Sequence, residues 1–371
     1  MARDGARKVR YAVVGAGNIA QVAVLPAFQH ATENSELVAI FSSDPTKRDA
    51  LRKQYGVQLS EGYEALEQGI RDADIDVVYI ALPNTMHRAF TERAARAGAH
   101  ILCEKPMATT VEDCEAMIRV AEENDVKLMI AYRLHFEEAN LGAIDVVRSG
   151  RLGDVTMFSA LMTQQARGGD IRTRQEVGGG ALLDEGPYPI NAARYIFGDE
   201  PLEVSCFTQE DQDPRFSGVD ATAFALLRFS GGRLAQFGIS HAASAVSSYR
   251  VVGAKGDLRV EPGFGYEEER RHFLTVGGQT EEKNFAVADQ FAPQLLYFSR
   301  CVLEDREPEP SGWEGLADVR IIVALQESAR TGRAVKLAPF HRPQRPTPEQ
   351  VIVRPPAEAP EPVNAPAPTV E

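Results

Sequence analysis

Between positions 9 and 130, short runs of apolar residues alternate with longer stretches in which apolar positions recur every three or four residues. The runs at 9–14, 37–41, 77–81, 100–103 and 127–130 are nearly continuously apolar, which predicts parallel strands covered on both faces. The stretches between them, among them 45–55, 87–97 and 110–123, predict amphipathic helices. Asp44-Pro45 and Thr110 are helix starts, and Gly98 is a helix end. Pro26 lacks an amide donor, so the first helix is expected to be distorted there. Strand-helix alternation at this spacing predicts an α/β architecture with a doubly wound parallel sheet.

Past Arg133 the pattern changes. A helical segment at 136–149 leads into strand-like runs at 155–161, 204–208, 221–229, 233–240, 249–252 and 258–260. The turn signals Ser230-Gly231-Gly232 and Lys255-Gly256-Asp257 favour antiparallel hairpins. Helical patterns at 289–304 and 315–331 follow. This predicts an α+β domain with a large, mostly antiparallel open sheet. A sheet with one uncovered face must bury it, so a homodimer or a dimer of dimers is expected. From His341 onward the chain is dense in proline and too poor in apolar surface for a core. It is expected to be exposed, or ordered only against a neighbouring subunit. The chain thus divides into 1–133, 134–340 and a Pro-rich tail at 341–371.

Composition narrows the function classes. With 371 residues, 44% hydrophobic and 25% charged, the chain fits two globular domains. It has no apolar run near the roughly 18 residues that span a bilayer, so no membrane role is expected. A net charge of −13 disfavours nucleic acid as a partner. Cys103, Cys114, Cys206 and Cys301 are scattered without metal-ligand spacing, so buried thiols in a reducing compartment and no metal are expected. Residues 1–8 are charged and lack the apolar segment of a signal peptide, which makes the cytoplasm the expected location.

Gly15-Ala16-Gly17-Asn18-Ile19-Ala20 sits between the first strand and a helix. It has the Gly-x-Gly-x-x-Ala form of a dinucleotide-binding turn. Gly15 makes the turn, Gly17 lets the backbone approach a pyrophosphate, and Ala20 packs strand against helix. The anion would rest on amides at the helix N-terminus, including those of Asn18 and Ile19. The second strand ends in Ser42-Ser43, with Lys47 and Arg48 a helical turn further on. Hydroxyl and cationic groups there favour NADP over NAD. Asp44 is the counter-evidence, unless it only caps the helix.

Three polar segments fall where parallel strands end: Leu82-Pro83-Asn84-Thr85-Met86-His87, Cys103-Glu104-Lys105-Pro106 and Ala131-Tyr132-Arg133. Each alone reads as a cap, a loop lysine or an ordinary ion-pairing arginine, but convergence at the ligand-binding edge indicates a site. With these residues the chain resembles the glucose-fructose oxidoreductase/inositol dehydrogenase (Gfo/Idh/MocA) superfamily, and within it the glucose-fructose oxidoreductase branch. Glu104-Lys105-Pro106 is one signature. Gly178-Gly179-Gly180 leading to Asp184-Glu185-Gly186-Pro187-Tyr188, with Asn191 and Arg194, is similar to a second. The resemblance runs from Val9 to about Leu337.

The resemblance implies an NADP-binding Rossmann domain and a sugar oxidoreductase. In it Lys105 and Tyr188 form the catalytic pair, with Asp184 beside them and His87 near the nicotinamide. It also implies Ser42 and Lys47 on the 2′-phosphate, and further cofactor contacts from Tyr55, Arg133, Arg172 and Tyr266. Ile171 stands where the branch has an aromatic residue, and Glu185 where it has Ile or Val. No counterpart of the export signal and N-terminal arm of the branch is expected, since Val9 already begins the first strand pattern. Chemically, oxidation of an aldose at C1 requires a base for the hydroxyl proton, and a lysine beside a tyrosine favours the phenolate. Three readings follow: hydride passed between two sugars through retained NADP, a dehydrogenase or reductase with exchanging cofactor, and a non-catalytic NAD(P) sensor.

Overall fold

The computed structural model describes residues 7–209, 213–342 and 344–370; the charged start at 1–6 lies outside them. Strands β1 (Val9–Val14), β2 (Ser35–Phe41), β3 (Leu59–Glu61), β4 (Val77–Ile80), β5 (His100–Cys103) and β6 (Leu128–Ile130) form a parallel sheet in the order β3-β2-β1-β4-β5-β6. Its strands are apolar at successive positions because both faces are buried. Tyr11 and Val13 enter the core on one side, and Ala12 and Val14 the core on the other. The sequence pattern missed β3 and the helix Leu66–Asp72, both too short to show a period. Near Pro26 the first helix breaks into a π turn (Ala20–Val24), an α turn and a 3₁₀ turn, the distortion expected there.

Among the described residues, the second sheet has nine strands: β7 (Val155–Gln165), β8 (Glu203–Gln209), β9 (Thr222–Arg228), β10 (Leu234–Ser240), β11 (Ala242–Gly253), β12 (Gly256–Glu261), β13 (Arg270–Val276), β14 (Gln279–Phe285) and β15 (Val335–Lys336). Their order is β14-β13-β12-β11-β7-β10-β9-β8-β15, with β7 and β10 parallel and the other pairs antiparallel. Strand β9 alternates strictly. Ala223, Ala225 and Leu227 are buried, while Phe224 is 59% and Leu226 46% exposed. Phe207 pairs with Phe224 and Met157 with Leu234, so the outward face is itself apolar.

The helix Ala292–Leu303 returns to the first sheet, where the Tyr11 hydroxyl lies 3.2 Å from the Leu295 carbonyl. The helix Gly312–Thr331 joins the halves, giving Leu316 and Val319 to one core and Ile321, Ile322 and Leu325 to the other.

Two expectations are corrected. Pro189, directly after Tyr188 in sequence, is expected to hold the Tyr188 backbone out of the helical region; the helix Pro187–Phe197 nevertheless contains Tyr188, because prolines in a first turn sacrifice no intrahelical bond. The tail does not wait for a partner but packs on its own chain. Arg342 pairs with Glu314 at 2.9 Å and Arg345 with Glu200 at 2.7 Å. The Ile352 amide donates to the Phe136 carbonyl at 3.2 Å. Polar and charged contacts anchor the segment, which a count of its apolar residues could not reveal.

Candidate active site

The first turn is shaped by its glycines. Gly15 has φ +100°, and a Cβ there would lie 2.2 Å from the Ala81 carbonyl oxygen, so no other residue fits. At Gly17 a Cβ would meet nothing within 4 Å, leaving the loop surface open for a phosphate. Half-buried Ile19 follows, and the Asn18 amide group donates to the Ala365 carbonyl at 3.0 Å.

At the end of β2, Asp44 caps the next helix by accepting the Thr46 amide at 2.8 Å and the Lys47 amide at 3.3 Å. Its second oxygen accepts the Asn364 side-chain amide at 3.1 Å. Asp44 is thereby engaged as a cap, and the sequence argument for NAD weakens. Ser42 is buried and accepts the Asp44 amide at 3.2 Å; Arg48 donates to the Ser42 carbonyl at 3.0 Å. Tyr55 packs half-buried against the sheet.

The β4 and β5 loops are braced by His87. Its ring nitrogens lie 2.9 Å from the Leu82 carbonyl and 3.0 Å from that of Pro106. It is wholly buried, and burial lowers its pKa. It braces the Leu82-Pro83 loop, with both ring nitrogens on backbone carbonyls. Asn84 reaches across to the Gly178 carbonyl at 2.8 Å.

Glu104 lies half-buried next to Lys105. It accepts the Tyr79 hydroxyl at 2.7 Å and the Lys105 amide at 3.2 Å, and burial raises its pKa. The Lys105 ammonium donates to Asp184 at its carbonyl (2.8 Å) and its carboxylate (3.1 Å), and lies 4.8 Å from the Tyr188 ring centre. Burial works against that charge, but Asp184 first, then Tyr188 and Glu185, outweigh it and raise the lysine pKa.

Asp184 is presented by the glycine triplet. Gly180, at φ +115°, stands where a Cβ would meet Asp220 at 2.5 Å, and Asp220 holds the Leu182 amide at 2.7 Å. Beyond Lys105, Asp184 takes Arg172 at 2.6 Å and His241 at 3.2 Å. Burial disfavours its charge, but Arg172, Lys105 and His241 hold its pKa well below the usual range. Burial likewise opposes the charge of His241, yet Asp184 and Glu185 raise its pKa to about 9.

Tyr188 is held from the other side by Arg133, whose guanidinium donates to the phenol oxygen at 3.1 Å and to the Phe264 carbonyl at 2.6 Å. Arg133 also binds Gln290 and lies 5.1 Å from the Tyr266 ring centre. Arg133, expected at the cofactor, lies within hydrogen-bond reach of Tyr188.

His241, Gln290 and Gln164, which binds Glu185, were not anticipated. Each is an isolated polar residue in an apolar or polar run, with no local signal. Asp184, Glu185 and His241 bring ligand atoms within 4.8 Å of one another. With Lys105 and Arg172 already on Asp184, a metal ion there would face two cations.

Two family models match this chain. Residues 9–132 match an oxidoreductase family with an NAD-binding Rossmann fold, and 141–259 match the GFO/IDH/MocA C-terminal domain. A D-xylose 1-dehydrogenase [NADP(+)] from Haloarcula marismortui is 33% identical over 336 residues, 89% of this chain and 93% of its own. The chain belongs to the GFO/IDH/MocA family. Among solved members, the aldose-aldose oxidoreductase of Caulobacter crescentus, complexed with glycerol, superposes with a TM-score of 0.85 at 39% identity, covering 89% of this chain and 100% of the other. KijD10, a 3-ketoreductase from Actinomadura kijaniata in complex with NADP and TDP-benzene, gives 0.80 at 29% identity over 87% and 98%. Membership in the family accords with the sequence resemblance.

Proposed function

We propose that this chain is an NADP-dependent oxidoreductase of sugars that oxidises an aldose at C1 to the lactone and returns the hydride to a second sugar. The observation that carries the reading is the meeting of Lys105 from the first half with Asp184 and Tyr188 from the second. NADP-named relatives on both sequence and structure support the cofactor and the sugar class.

Gly15, Gly17, Asn18 and Ile19 would hold the pyrophosphate, and Ser42, Lys47 and Arg48 the adenosine phosphate; Tyr55, Leu82, Pro83, Asn84 and Glu104 would shape the remaining wall. The open surface at Gly17 and the capped state of Asp44 fit that assignment. Bound nicotinamide supplies the hydride acceptor and donor. Tyr188 takes the C1 hydroxyl proton and gives it back to the acceptor carbonyl. Negative charge on its oxygen during transfer faces Arg133 and Lys105, both preorganised. Asp184 orients Lys105, and Arg172 and His241 orient Asp184. Tyr266 and Arg172 close the site, where Ile171, 43% exposed, leaves a lower wall than an aromatic would. Glu185, with Gln164, makes the sugar side polar, suited to several hydroxyls.

The name of the haloarchaeal relative favours a second reading, a D-xylose-type dehydrogenase whose cofactor exchanges. One experiment separates them. The purified protein is incubated with an aldose panel and no added nucleotide, and lactone and reduced sugar are assayed together. Paired products in equal amounts support hydride transfer between sugars; product formation only with added NADP supports exchange, and no product with or without NADP removes both.

We place a second copy of the chain on the outward face of the large sheet, as an isologous dimer. Exposed Met157, Phe207, Phe224, Leu226 and Leu234 are the support. Among the described residues no helix is long and apolar enough to cross a membrane.

A further inference from the structure

The C-terminal segment crosses the mouth of the site. Arg354 fixes its approach, binding Glu33 and lying 3.3 Å from the His30 carbonyl. At Val363 the chain meets the first helix. The Gln21 side chain donates to the Val363 carbonyl at 2.9 Å and accepts its amide at 2.8 Å. One residue on, Asn364 adopts φ +48°, a conformation that asparagine tolerates, and donates to Asp44. Ala365 is buried, and its carbonyl takes the Asn18 amide. Within three residues the segment has therefore engaged the glycine turn and the end of β2.

It then leaves the first half. The Arg167 amide donates to the Pro368 carbonyl at 2.8 Å, the Arg167 side chain to Ala367 at 2.8 Å, and the Val370 amide to Gln165 at 3.0 Å. Thr369 bridges Ala166, four residues after which Asp170 begins the turn that carries Arg172 to Asp184. Pro360, Pro362, Pro366 and Pro368 stiffen the span, so little chain entropy opposes its closed form.

We propose that residues 363–370 are a clasp belonging to the cofactor site, which joins the two walls of the cleft and retains NADP between turnovers. The proposal rests on the NADP reading above. Asn18 and Asp44 stand where the pyrophosphate and the adenosine end would lie, so the dinucleotide cannot leave along that edge until the clasp detaches. Detachment breaks hydrogen bonds to Gln21, Asn18, Asp44 and the β7 end together. Asn364 has a second effect. By occupying Asp44 it removes a carboxylate that would otherwise accept ribose hydroxyls, so a residue far along the chain bears on NADP over NAD.

The test is the rate of NADPH release, read from the fluorescence of protein-bound NADPH chased with excess NADP. It compares the full chain, a chain ending at Pro362, and Gln21→Ala, which keeps the full length. Loss of the clasp is expected to speed release by at least about tenfold, with Gln21→Ala in between. NADPH should stay with the full chain through desalting and leave the shortened one. Circular dichroism and melting show whether the shortened chain is folded; if it is not, Gln21→Ala alone decides. Equal release rates in all three would overturn the clasp and leave the NADP reading intact. Failure of the full chain to bind NADPH at all would overturn both.

Discussion

The two sheets solve opposite burial problems. In the parallel sheet both faces are covered, the inner strands are mostly apolar at successive positions, and the groups proposed for the cofactor and the chemistry lie at strand ends: Gly15, Ser42, Leu82, Lys105 and Arg133. In the large sheet one face is covered, the strands alternate, and polar groups of the site come from its rim and the helices beside it: Arg172, Asp184, Tyr188 and His241. On the proposed reading the first half is a cradle that sends two cations, Lys105 and Arg133, toward Tyr188. The second is a wall in which Asp184 gathers Arg172, His241 and the incoming Lys105. The lesson is that the chemistry belongs to the seam, and perturbations should sort by which side of the seam they touch.

The largest effect should follow removal of the group that crosses the seam. Lys105→Ala leaves Asp184 facing Arg172 and His241 alone, and turnover should fall by about a thousandfold, with NADP affinity within a few-fold of the parent. Loss of binding in place of turnover would break the division between cradle and wall. Tyr188→Phe keeps the ring beneath Arg133 but removes the proton, and a drop of about a hundredfold is expected in single-turnover kinetics. On the cradle side, Lys47→Ala should raise the Michaelis constant for NADP about tenfold and leave that for NAD almost unchanged, sharpening the contrast. Phe224→Asp puts a carboxylate on the apolar outward face; sedimentation should shift toward the monomer while the cradle keeps its cofactor.

The smallest effect concerns pH. The folded chain raises the pKa of His241 from 6.5 to about 9, so the stability it adds is complete below about 6.5 and is lost as the pH climbs through 9. Its contribution at neutral pH is on the order of 2 kcal/mol. The melting temperature of His241→Gln should trail the parent at pH 7 and converge on it above pH 9.

Much of the first half was legible in advance. The glycine turn, the helix starts at Asp44 and Thr110 and the Lys105 loop all depend on neighbours in sequence, and each was found where its local chemistry put it. The signatures at 104–106 and 178–188 also named the residues that meet. What was not legible shares one cause. Both ring nitrogens of His87 rest on backbone carbonyls of two loops, which depends on how those loops pack. The Pro-rich tail looked unable to order itself, because its partners, Gln21, Asp44 and Gln165, are polar groups hundreds of residues away.

The sequence by itself determined the alternating α/β order and the glycine turn, which follow from periodicity and from residue types at short spacing; Lys105, Asp184 and Tyr188 were singled out by the resemblance of segments 104–106 and 178–188 to the family. The tertiary structure alone decided that Arg133 points at Tyr188, that His241 backs Asp184, and that the tail spans the cleft. Those contacts join residues far apart in the chain, and only the tertiary packing sets their distances.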